Sequence, residues 1–167
     1  MRFTVITLIL FLCSMAAGAA ESSVEVHALD SNGIGQLLGT VTLKDTPNGI
    51  ELAPALHGLP PGLHGLHIHE NPACGPGDKE GKTLAGLAAG SHYDPDKTGK
   101  HLGPEGKGHK GDLPVLSVAP DGSATTPFKS GRLSLSDMQG RSLIIHAETD
   151  NYADQPGGAR IACGVIR

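Results

Sequence analysis

Eight short apolar or alternating runs, separated by glycine, proline and small polar residues, limit what this chain can fold into. They are Val24–Leu29, Gln36–Leu43, Gly49–Leu56, Leu63–Glu70, Leu113–Val118, Ser123–Phe128, Ser142–Ala147 and Arg160–Ile166. Runs of this length bounded by turn residues read as β-strands. Pro60-Pro61-Gly62 and Pro120-Asp121-Gly122 are tight-turn sequences between them. With 24 glycines in 167 residues the glycine share is about twice the usual ~7%, and aromatics are scarce. The pattern predicts an all-β domain, a barrel or sandwich. Ser134 to Met138 could add one helical turn, and no internal repeat is visible.

One stretch breaks the rhythm. From Asn71 to Asp112 there is no convincing strand, yet the stretch holds Cys74, His92, His101, His109 and Asp112. Structureless loops longer than about 12–15 residues are uncommon in compact domains unless they are functional or disordered. Nothing in this one is low-complexity, so cross-links or metal bonds are expected to order it. A shorter irregular stretch, Glu148 to Gly158, follows His146.

The first twenty residues read as an export signal: Arg2 provides a positive start, Val5 to Leu12 an apolar run, and Ala16-Ala17-Gly18-Ala19-Ala20 small residues for cleavage. The run is shorter than the roughly 20 residues that a membrane-spanning helix needs. A lipoprotein signal through Cys13 is disfavoured by the bulky Leu12 before it. The expected organisation is therefore a signal peptide at 1–20 and one domain at 21–167, periplasmic or secreted, with no membrane association after cleavage. Cleavage removes one of 13 cations and none of 17 carboxylates, taking the formal charge from −4 to −5. No basic run suggests a nucleic-acid partner. Cys74 and Cys163 remain, and an even pair in an exported chain most often forms a disulfide, the alternative being two buried thiols.

The nine histidines carry the chemistry. His67 and His69 are two apart in a predicted strand, so their rings leave the same face and can reach one ion. His146 ends another predicted strand. His92, His101, His109 and Asp112 space three imidazoles and a carboxylate along the long loop, a donor set suited to closed, tetrahedral, structural zinc. The two groups compete for His92 or share it. An imidazole stripped of both protons can bind a metal through each nitrogen when two cations lower its second pKa. His67, His69, His92 and His146 would then suit copper. Asp150 is a candidate carboxylate for holding ligand rings in place.

Five segments carry a resemblance: Gly65-Leu66-His67-Ile68-His69-Glu70, Ala89-Gly90-Ser91-His92-Tyr93-Asp94-Pro95, Gly99-Lys100-His101-Leu102-Gly103-Pro104, Gly108-His109-Lys110-Gly111-Asp112-Leu113-Pro114 and Gly157 to Ile166. In this order they resemble the Cu,Zn superoxide dismutase family, its exported bacterial members in particular, over most of residues 24 to 167. The resemblance implies an eight-stranded antiparallel Greek-key barrel in which two long loops carry the site. It implies copper on His67, His69, His92 and His146, and zinc on His92, His101, His109 and Asp112, one ion of each per chain. It also implies that Asp150 links His67 to His101, that Cys74 and Cys163 are bonded, and that Arg160 guides the superoxide anion. The implied activity converts superoxide to dioxygen and hydrogen peroxide as copper cycles between Cu(II) and Cu(I), with His92 supplying a proton.

Two features depart from the family pattern. The stretch from Asp150 to Arg160 is shorter than in many bacterial members, and no histidine-rich extension opens the expected mature chain. His64 matches a structural hydrogen-bonding histidine of the family, while His27 and His57 are expected at the surface. Lys100 and Lys110 are the alternative anion guides. Monomer and homodimer both remain open. The rival readings are a periplasmic copper or zinc carrier, which has no need of an anion guide, and a zinc hydrolase, which four protein ligands on zinc would deprive of a metal-bound water.

Overall fold

The computed structural model describes residues 19–153 and 157–167; residues 1–18 of the expected signal peptide lie outside them. Its main sheet has seven antiparallel strands, ordered β5-β10-β11-β1-β2-β3-β9. These are β1 (Glu21–Asp30), β2 (Gly33–Thr46), β3 (Gly49–Leu56), β5 (Leu66–His69), β9 (Phe128–Ser130), β10 (Arg141–His146) and β11 (Arg160–Ile166). The last strand lies beside the first, His27 pairing with Cys163 and Ala28 with Ala162. Two small pairs complete the strands: β4 (Gly62–His64) with β8 (Leu116–Val118), and the hairpin β6 (Gly77–Lys79) with β7 (Lys82–Leu84).

The sheet curls because alternate side chains seek one core. Along β3, Ile50, Leu52 and Leu56 are fully buried. Val24 and Val26 of β1, Leu43 of β2 and Leu143 and Ile145 of β10 join them in one cluster. Cys74, Ala89, Ile144 and Cys163 form a second cluster on the opposite face of β10 and β11. The long loop therefore packs on the outside of the sheet, and the Cys74–Cys163 disulfide ties it there, with Cα atoms 5.7 Å apart. The expected helical turn is present as α1 (Leu135–Met138), opened by a capping box between Ser134 and Asp137.

Three runs differ from expectation. Leu63–Glu70 is two strands, β4 and β5, broken at Gly65, where a Cβ would lie 2.5 Å from Asp150 Oδ1. Gly65 N–H donates to the Glu148 carbonyl and its own carbonyl accepts from His146 N–H, so its backbone turns to the second loop. Leu113–Val118 narrows to β8, and Ser123–Phe128 is mostly irregular, with a lone bridge from Ala124 to Leu56 before β9. Conversely, the exposed hairpin β6–β7 lies inside the stretch expected to lack strands.

Candidate metal centre

The centre forms where the long loop completes the free edge of β5. Backbone bridges join His67 to Asp112 and His69 to His92, while Ile68 N–H donates to Gly111 O and Tyr93 N–H to Ile68 O. Two strand histidines and two loop residues are thus held side by side by main-chain bonds. On the other side of β5, β10 pairs with it and ends at His146, where a register shift brings His146 opposite Arg160 of β11. Such an irregularity re-aims a side chain at a strand end.

Two groups of potential ligand atoms result, each lying within 4.8 Å of one another: His67, His69, His92 and His146, and His67, His92, His101 and Asp112. His109 stands at the margin of the second group, its Nδ1 3.5 Å from Asp112 Oδ1. The same oxygen is 3.2 Å from His92 Nδ1 and 2.9 Å from His101 Nδ1. A tetrahedral zinc with ligands at about 2.0–2.1 Å has ligand-to-ligand edges of about 3.3 Å, and the three nitrogen-to-oxygen distances match such edges. His92, with Nδ1 turned to Asp112, has Nε2 left for the first group.

The first group has its outer nitrogens committed. His67 Nε2 donates to Asp150 Oδ2 at 2.8 Å, His69 Nδ1 to the Gly90 carbonyl at 3.0 Å and His146 Nδ1 to the Gly158 carbonyl at 2.8 Å. This fixes the tautomers. His67 Nδ1 is then a buried nitrogen with no hydrogen-bond partner. His69 Nε2 and His146 Nε2 face each other at 3.4 Å as two lone pairs. Burial and neighbouring positive groups hold His146 down to about 3 and push His69 lower still, so neither adds a proton at neutral pH. Burial also lowers His92 to about 4, against the pull of Asp112. Neutral imidazoles whose free nitrogens gather in one group are a donor set that a cation would satisfy, and imidazole suits copper.

Asp150 stands between the groups, its Oδ1 3.5 Å from His101 Nε2. His101 is buried, which alone would lower its pKa, but hydrogen bonds to Asp112 and Asp150 outweigh burial and raise it to about 9. Both carboxyls are held well below the usual range: burial opposes this, and hydrogen bonds from His101 and its partners prevail. Arg160 donates to the Gly86 carbonyl at 2.5 Å and to Gly90 at 2.6 Å. Of the alternative guides, Lys110 is paired with Asp137 at 2.6 Å. His64 sits buried between the carbonyls of His146 and Pro60, at 2.7 and 2.8 Å, and His27 and His57 lie outside the cluster.

Sequence reasoning missed the two carbonyls, Gly90 and Gly158, which have no side-chain signature. It also missed Arg132, whose guanidinium donates to the carbonyls of Gly108 and His109 at 2.9 and 3.2 Å and so braces the loop around His109.

A curled antiparallel sheet that carries two adjoining sets of potential ligands on its outer face, beneath the long loop, defines a β-sheet metalloprotein with a paired metal centre. Residues 37–166 match the family model described as copper/zinc superoxide dismutase. The chain belongs to that family. It is 47% identical over 168 residues to "Superoxide dismutase [Cu-Zn] 2" of Salmonella typhimurium, covering 97% of both chains. Among solved structures, the Cu/Zn superoxide dismutase of Brucella abortus is similar with a TM-score of 0.86 at 45% identity, over 89% of this chain and 100% of that one. The monomeric copper, zinc enzyme of Salmonella enterica, a solution structure, gives 0.81 at 49% identity with the same coverage.

Proposed function

We propose that the protein is a superoxide dismutase whose copper is held by His67, His69, His92 and His146, and whose zinc is held by His92, His101, His109 and Asp112. The observation that carries this reading is the pair of Nε2 atoms on His69 and His146, 3.4 Å apart with both outer nitrogens already donating. Copper supplies the one-electron chemistry that oxidises one superoxide to dioxygen and reduces another to hydrogen peroxide. The chain supplies the rest. His92 holds and gives up a proton at Nε2, where the product peroxide needs one, and Nδ1 stays on the zinc side. His92, His101, His109 and Asp112 would fill a zinc ion's four positions, so zinc bound there would order the loop and lower the proton affinity of His92. Arg160, held by two carbonyls, attracts and orients the anion against a net negative chain, and local positive charge can raise on-rates by about ten- to a thousandfold.

Residues 1–20 direct export and are removed, leaving a periplasmic or secreted protein; the Cys74–Cys163 disulfide supports this, since such bonds persist in oxidising compartments. Between monomer and homodimer, the likeness to the monomeric Salmonella enterica enzyme favours the monomer. Metal analysis of the purified mature protein together with a superoxide assay tests the central reading. One copper, one zinc and rapid dismutation are expected; tight copper binding without turnover would make it a carrier.

A further inference from the structure

Tyr152 adopts a left-handed backbone, φ +50°, which glycine and asparagine accept far more readily than an aromatic residue. Its ring lies over Gly103, where a Cβ would come within 2.7 Å of it, and its centroid is 6.0 Å from that of His101. Its hydroxyl accepts from Val115 N–H at 3.1 Å and donates to the Leu113 carbonyl at 3.4 Å, in the backbone that directly follows Asp112. The side chain therefore spans the long loop from the His101 side to the Asp112 side. Two residues away, Asp150 reaches His67 and His101.

We propose that Tyr152 is a positioning residue for the metal centre: a wedge that locks the loop after β10 onto the long loop, sets where Asp150 stands between His67 and His101, and thereby slows zinc release. Gly103 makes room for the ring, and the ring and hydroxyl contacts with the long loop hold the left-handed backbone in place. Partners of metal-ligating histidines typically change metal affinity about 10–100-fold when lost. The proposal rests on the zinc ligand set given above.

The test uses the full chain, loaded with both metals, as wild type, Tyr152→Asn and Tyr152→Phe. Zinc release to a chelator and amide exchange at Val115 are measured on each. Tyr152→Asn suits the backbone better, yet it should release zinc about tenfold faster or more. Tyr152→Phe keeps the wedge and should hold zinc within about threefold of wild type, while Val115 exchange rises in both variants. A tyrosine that merely packs would alter melting temperature and leave zinc release unchanged in Tyr152→Asn, which overturns the proposal. Should Tyr152→Asn fail to fold, unchanged Val115 exchange in Tyr152→Phe overturns the anchoring. Wild type that takes up no zinc overturns both this proposal and the ligand set; normal zinc uptake with unchanged release overturns this proposal alone.

Discussion

His69 and Arg160 share one carbonyl: Gly90 O accepts from His69 Nδ1 at 3.0 Å and from Arg160 Nη2 at 2.6 Å. The arginine is therefore fixed relative to a ring of the proposed copper group through a single backbone atom. Arg160→Ala is expected to keep both metals, to slow the reaction with superoxide about tenfold or more at low salt, and to flatten its dependence on ionic strength. Rates measured across a salt series check this; wild-type speed at low salt would pass the guiding role to another cation, such as Lys100.

Asp112→Ala removes the oxygen on which three histidine nitrogens converge. Zinc affinity should fall about a hundredfold or more, and melting temperature should drop as the long loop loses one of its anchors. His92, relieved of one cation, should retain a proton and alter the copper absorption band. Full zinc occupancy with an unchanged melting temperature would remove Asp112 from the ligand set.

Gly65→Ala tests the seat of Asp150, because the added methyl would meet its Oδ1 at 2.5 Å. Overpacking of this kind costs roughly 1–3 kcal/mol. A thermal melt should show the loss, and His67 should become less firmly held. Unaltered stability would mean that the second loop gives way freely.

The metal-free chain should be most stable near pH 6.5. His101 titrates at about 9 when folded and near 6.5 when unfolded, so its contribution is complete below 6.5 and fades as pH rises through 9. His92 and His146 have the opposite sign: folded values of about 4 and 3 mean that the unfolded chain binds more protons below 6.5, and stability falls as pH drops towards them. Melting temperatures of chelator-treated protein across this range should trace a maximum. A steady rise up to pH 9 would show that His101 is not paired as described.

How much of this was legible in the sequence depended on what left a periodic mark. Strands with one buried face, such as Gly49–Leu56, showed their alternation plainly. Gly77–Leu84 did not, since most of that hairpin is exposed and no core imposes a period on it. Leu63–Glu70 read as one strand because its apolar pattern continues through Gly65; the break is made by a carboxylate from far along the chain. The proposed ligand residues stood out by type and spacing. Their supports did not: Gly90 and Gly158 act through carbonyls, and Arg132 and Tyr152 act across the fold.

The bridges from His69 to His92 and from His67 to Asp112 also give β5 a cover. An uncovered strand edge is a template for pairing with another chain, and here the shield is the same segment that carries the histidines. That segment is anchored by the Cys74–Cys163 disulfide and, with the ligand set proposed above, would be anchored by zinc as well. Metal content is therefore expected to bear on colloidal behaviour as well as on catalysis: a chain stripped of zinc and reduced at Cys74–Cys163 should present a barer edge to its neighbours, and self-association should then compete with refolding.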